Sequence, residues 1–200
     1  MVLKIGKKFL ILAVSEPGDR IEKSYAGSRI SIVLGPGRAF GSGEHETTRS
    51  CLEELEGIPL GLRSRVLDLG SGTGILAIAA AKMGAPSVIA LDTSPDAIET
   101  TLSNVRLNRV ENSVAIKQGG LEVVKDELFD LILANLYGDI VLSLVGDLRN
   151  CLASSGRLVV SGIHYDDNYE VRAAFIKTEF RLVKERFLEN YTTMVFQMPC

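Results

Sequence analysis

The segment VLDLGSGTGILAIAAA, residues 66–81, carries an apolar strand pattern straight into Gly70, Gly72 and Gly74 and then into a helical pattern. Glycines there permit a tight turn and let a ligand approach the backbone closely. The spacing is G-x-G-x-G, whereas the dinucleotide fingerprint is G-x-G-x-x-G. Asp68, just before the turn, would repel a pyrophosphate and would favour a ligand with an ammonium group. A phosphate-free, cationic ligand fits both features, and S-adenosyl-L-methionine is such a ligand. The alternative is a glycine-rich strand-to-helix turn that holds nothing.

Asp92 closes the next strand pattern, SVIALD. A carboxylate at that strand end can accept both ribose hydroxyls; it can also serve the helix that starts at Ser94. Asn135 closes a further strand in LILANLYGD. Its side-chain oxygen, with a nearby carbonyl, can accept hydrogen bonds from an amine and aim the nitrogen lone pair at a sulfonium methyl, which is catalysis by orientation. Asn is also a common turn residue. The glycine-rich loop Gly35–Gly43 leads through Phe40 to Glu44, His45, Glu46, Thr47 and Thr48. It can close over a ligand, with Thr47 or Thr48 bonding the methionine end, or it is a plain loop with Thr caps. His45 is a general base or simply a hydrogen-bonding residue. Glu44 or Glu46 could supply a carboxylate lip that helps an amine lose its proton.

These residues need a scaffold, and the periodicity supplies one. Lys8–Val14 and Arg29–Leu34 read as short strands with a turn at Glu16–Gly18. Helix patterns over Glu46–Leu55, 75–84, 94–108, 139–152 and Asp167–Thr178 alternate with apolar strands at 65–69, 87–92, 113–118, 128–135 and 156–163. Ser94 is placed as an N-cap with Pro95 at the first helical position. The tail, RLVKERFL and YTTMVFQM, alternates like an antiparallel pair. Nearly all-apolar strands alternating with helices mean a parallel sheet covered on both faces. The expected fold is one α/β domain with a seven-stranded, mostly parallel Rossmann-like sheet. Residues 1–45 hold N-terminal strands and the lid loop, and residues 46–200 hold the core.

Composition narrows the classes. A net charge of −3 with no basic stripe argues against direct nucleic-acid binding. Cys51, Cys151 and Cys200 are scattered, as reduced thiols in a cytoplasmic protein would be. His45 and His164 are the only histidines, at no metal-ligand spacing, so no metal is expected. The apolar run FLILAV reads as a strand, not as a signal peptide or membrane span.

GRAFGSGEHETTRSCLEEL, VLDLGSGTGILAIAAAKMGAPSVIALDTSPDAIETTLSNVRLN, FDLILANLY and GRLVVSGI together resemble the PrmA family, which trimethylates amino groups on large-subunit ribosomal protein eleven. GSGEHETT and ANLY are the specific segments, since the glycine turn is common to most methyltransferases of this class. The resemblance implies that Thr47 or Thr48, Gly70, Asp92 and Asn135 contact S-adenosyl-L-methionine and that the acceptor is an amine on a protein. The family carries a separate N-terminal substrate-docking domain, and this sequence opens at about the catalytic part. The family often has a Trp near its C-terminus; here there is none, and Tyr191 stands in the nearby stretch. A small-molecule N-methyltransferase is the competing enzyme reading, with a small amine as partner. A catalytically lapsed cofactor-binding subunit and a dinucleotide oxidoreductase are the more distant ones.

Overall fold

A computed structural model describes residues 2–14, 28–37 and 39–200. The expected turn at Glu16–Gly18 lies outside the described residues. Strands β1 (Val2–Ile5), β2 (Phe9–Ala13) and β3 (Ile30–Leu34) form a small sheet of their own. In it β1 and β2 are antiparallel and β2 and β3 are parallel. Then follow α1 (Glu46–Glu56), β4 (Arg65–Leu69), α2 (Ile75–Lys82), β5 (Ser87–Asp92), α3 (Pro95–Asn108) and β6 (Val114–Gln118). The second half is β7 (Phe129–Asn135), α4 (Gly138–Cys151), β8 (Leu152–His164), α5 (Asn168–Lys177), β9 (Arg181–Phe187) and β10 (Tyr191–Gln197).

The large sheet has seven strands in the order β6-β5-β4-β7-β8-β10-β9. Strands β4 to β8 are parallel, and β10 runs antiparallel to both β8 and β9. The expected architecture is therefore the observed one. Chain direction across the sheet reverses between β4 and β7, the place where open α/β sheets bind ligands.

Strand alternation sorts the core into two layers. Val66, Val88, Leu131 and Val159 face α1, α2 and α3, and the small sheet closes that layer from outside with Phe9, Ile11 and Ile32. Leu67, Ile89, Ile132 and Val160 face α4 and α5, where Phe175, Phe180 and Phe196 stack. The same alternation assigns Asp68, Asp92 and Asn135 to the α1–α3 side.

Side chains tie the pieces together at long range. Asn108, near the end of α3, accepts from the Val33 N–H (2.9 Å) and donates to the Val33 carbonyl (2.6 Å). It thereby satisfies β3 where no neighbouring strand does. Asn104, one turn earlier, accepts from Gly35 N–H (2.8 Å) and donates to the Thr73 carbonyl (2.9 Å). On α1, the buried Glu54 carboxylate takes Lys184 at 2.8 Å and Arg186 at 3.0 Å, stapling β9 to the helix. Asn108→Ala would leave two main-chain groups of β3 without their partner. The expected loss is about 2–3 kcal/mol, seen as a fall in Tm of about 5–10 °C by circular dichroism. An unchanged Tm would show that the small sheet does not depend on this contact.

Candidate active site

Register brings the expected site together. Leu69 pairs with Leu91 on one side and with Ala134 on the other. One residue further on, Gly70 is therefore flanked by Asp92 and Asn135. A cavity of about 780 Å³ opens there, within the range of small-molecule sites. Phe40, Gly70, Gly72, Asp92 and Asn135 all line it, with Gly119, Gly120 and Leu121 from the end of β6. A second cavity of about 50 Å³ shares Phe40, Asn135 and Leu136 with the first and is closed by His45, Thr47, Tyr137, Gly162 and Tyr191. The two meet at Asn135.

Asp68, Gly74 and Thr48 stand behind the walls instead. Thr48 is buried, and its hydroxyl accepts from the Asn135 amide N–H at 3.2 Å. That bond turns Nδ2 toward α1 and leaves the carbonyl oxygen Oδ1 as an acceptor. Asp68 is buried beneath the first turn of α2, where its Oδ2 accepts from Ala77 N–H at 2.9 Å.

The glycine turn has a reason beyond ligand approach. Gly70, Gly72 and Gly74 all have positive φ, at 72°, 54° and 76°. Each also gives its side-chain space to another part of the protein. A Cβ at Gly72 would collide with the Phe40 carbonyl oxygen, and one at Gly70 would stand 2.5 Å from Leu136. At Gly74 it would meet Thr101 at 2.8 Å. The glycine-rich loop is thus laid directly on the turn: Thr73 N–H donates to the Phe40 carbonyl (3.0 Å), and its hydroxyl donates to the Gly41 carbonyl (2.7 Å).

Asp92 serves both readings of it. One oxygen accepts from Gly72 N–H at 2.9 Å and the other from Ser94 N–H at 3.0 Å. A carboxylate has about four lone-pair positions, so acceptor capacity remains toward the cavity for a diol. His45 is the N-cap of α1: its Nδ1 accepts from Thr47 N–H and lies 2.8 Å from the Thr47 hydroxyl. With Nδ1 so engaged as an acceptor, Nε2 is the ring nitrogen left to donate toward its surroundings.

Several site residues carried no local signal. Leu136, Thr101 and Asn104 act by filling or bridging, and only the polar run Thr100, Thr101, Asn104, Asn108 on the buried face of α3 hinted at them. Gly162 lies against Asn135, at the end of a strand 27 residues away by number (162 − 135).

The sequence matches the family described as "Ribosomal protein L11 methyltransferase (PrmA)" over residues 2–199. The chain belongs to the PrmA family. Curated relatives in it include the ribosomal protein L11 methyltransferases of Alkaliphilus metalliredigens, 37% identical, and of Pelobacter propionicus, 38% identical. These matches cover 97% and 98% of this chain and 59% and 62% of the relatives. The chain thus spans about three fifths of the length of the curated relatives it matches. A crystal structure of the ribosomal protein L11 methylase from Lactobacillus delbrueckii superposes with a TM-score of 0.87 at 29% identity, covering 100% of this chain and 99% of the other. The tRNA m1G37 methyltransferase of M. jannaschii shares the fold alone, with a TM-score of 0.70 at 16% identity.

Charge in this PrmA site is set by burial. Desolvation pushes the Asp68 carboxyl up to about 8, with the nearby Asp92 charge adding to it, while the Ala77 N–H bond pulls the other way. Burial likewise pushes the Cys51 thiol up to about 12, so it packs as an inert thiol. For Asp68 the folded state holds the proton more tightly than the unfolded chain. Its stabilising contribution is full below the ordinary pKa of 3.8 and is lost as pH rises toward 8. Asp68→Asn keeps an acceptor for Ala77 and never ionises. It should melt at least about 5 °C higher than wild type at pH 9, with the gap closing by pH 4. A pH-independent gap would mean that Asp68 is charged throughout.

Proposed function

We propose that this protein transfers a methyl group from S-adenosyl-L-methionine to an amino group of a protein, with a ribosomal protein of the L11 class as the acceptor its relatives' names suggest. The observation that supports this most directly is Asn135, held at the junction of a large and a small cavity with its carbonyl oxygen free to accept. The larger cavity suits S-adenosyl-L-methionine in size and in donor set. Asp92 offers a carboxylate to the ribose, Gly119 and Gly120 line the cavity beside it with their N–H groups held by the Asp92 carbonyl and the Glu122 carboxylate, and Gly70 and Gly72 bring main chain to the floor. When bound, the ligand supplies an electrophilic methyl on a sulfonium.

The chain's own residues then do three things. Phe40 and the loop behind it cover the ligand. Asn135 Oδ1 accepts a hydrogen bond from the acceptor nitrogen and so fixes the direction of its lone pair. The small cavity, walled by Phe40, His45, Tyr137 and Tyr191, admits the end of an aminoalkyl chain and little more, which favours a side chain entering from outside over an enclosed small molecule. A lysine amine, with a reference pKa of about 10.4, must reach Asn135 without its proton. The aromatic walls favour that neutral form by withholding water.

Calorimetric titration with S-adenosylhomocysteine, with NAD as control, tests the ligand class. Micromolar binding of the first and none of the second is expected, and the reverse would overturn the proposal. Asp92→Ala should weaken that binding by about 2–4 kcal/mol through lost charge-assisted hydrogen bonds; wild-type affinity would remove the ribose role. Asn135→Ala should lower turnover on an L11 acceptor by about a hundredfold or more, while S-adenosylhomocysteine affinity stays within about threefold. Unchanged turnover would sink the orienting role.

A further inference from the structure

Around the small cavity the rings form a continuous chain. Centroids lie 5.3 Å apart for Phe40–His45, 5.3 Å for His45–Tyr191, 5.9 Å for Tyr191–His164, 6.3 Å for His164–Tyr165 and 6.1 Å for Tyr165–Phe187. Both histidines of the chain are in it. Its outer members are open to solvent: Phe40 is 59% exposed and Phe187 63%, and Tyr137, on the cavity wall, is 68% exposed. Exposed aromatics gathered at one mouth mark an interaction surface, since scattered ones need no explanation.

Charge around that mouth is one-sided. The four segments that build it are residues 39–47, 135–140, 162–170 and 187–191. They contain Glu44, Glu46, Asp139, Asp166, Asp167, Glu170 and Glu189 and no lysine or arginine. The chain as a whole is nearly balanced, with 22 basic against 25 acidic residues. Of the cations on neighbouring elements, Arg172 pairs with Glu185, Lys184 with Glu54, and Arg186 with Glu53 and Glu54, while Arg49 on α1 is exposed, so acids outnumber bases at this rim. The rim is also held in place. The Glu46 carboxylate accepts from the main-chain N–H groups of Glu189 (2.7 Å) and Asn190 (3.1 Å), which sets the β9–β10 turn and Tyr191 after it against the start of α1.

We propose that this aromatic, acidic rim docks a basic protein segment that carries apolar side chains beside its acceptor amine. The inference rests on the amine-methyltransfer reading of the same site and names the partner's chemistry. Aromatic faces cover the apolar side chains. The acids draw flanking lysines or arginines and repel acidic segments and nucleic acid.

Two fluorescent peptides of equal length test it. Each has one central lysine between leucines; one is flanked by arginines and the other by glutamates. Binding is read by fluorescence anisotropy with S-adenosylhomocysteine present. The arginine-flanked peptide should bind at least about tenfold more tightly at low salt, with the advantage shrinking as salt rises. Asp139→Lys with Glu189→Lys should abolish that advantage. Glu111→Lys with Asp126→Lys makes the same change in net charge at the far ends of β6 and β7 and should leave the affinity within about twofold. Equal binding of the two peptides, or equal loss in the two double variants, overturns the docking proposal. Failure to bind S-adenosylhomocysteine in calorimetry strikes the methyl-transfer reading instead. Retained binding of that ligand with no peptide preference strikes only the docking surface.

Discussion

The site depends on one close approach, that of the Phe40 carbonyl to the glycine turn after β4. The bond from Thr73 N–H to Phe40 O is possible only because Gly72 has no side chain in the way. From that contact the loop leads directly into His45, which caps α1, and so into Thr47 and Thr48. Thr48 then holds Asn135, which comes from the other side of the sheet's reversal point. The lid segment, the turn, the first helix and the end of β7 are therefore one connected assembly. Any side chain at position 72 would separate the Phe40 loop from the turn on which it lies, and with it from Thr48 and Asn135.

This bears on what could be read from residues alone. The seven-stranded, mostly parallel sheet, most of its elements and the convergence of Gly70, Asp92 and Asn135 were legible because register and alternation are local rules. A strand that runs apolar to its end puts its last residue at the sheet's edge, and parallel neighbours put those ends side by side. The purpose of the glycines was only half legible. Positive φ and ligand approach are general properties of such a turn, but the groups that fill the vacated space come from Phe40, Leu136 and Thr101. Those positions are remote in number, and no spacing rule connects them. Thr48 was expected at the ligand and lies instead one step behind, because a helix of 11 residues packed over the sheet buries the side chains of its first turn. Asp68 was read as a charge beside an ammonium group. Strand parity sends it under α2, into a setting where burial favours the neutral acid.

The two halves of the site are built by different physics. The large-cavity side is made of main chain: parallel strands in register, glycine turns and N–H groups directed at Asp92. Its geometry follows from the fold. The small-cavity side is made of side chains reaching across large sequence separations, such as Glu46 to the β9–β10 turn and Glu54 to Lys184 and Arg186. Those carboxylates all come from α1, so the helix that starts at the lid also fixes the C-terminal hairpin. A change in α1 should move the wall of the small cavity and leave the Asp92 carboxylate where it is.

The only two histidines of the sequence belong to that half built from side chains. His45 and His164 each spend Nδ1 on a backbone N–H, at Thr47 and at Asp166, to start the helical turns that follow them. On the methyl-transfer reading proposed above, both rings thus shape the mouth by starting these turns, and the acceptor nitrogen is left to Asn135, whose amide is held by Thr48 on the same helix that His45 caps.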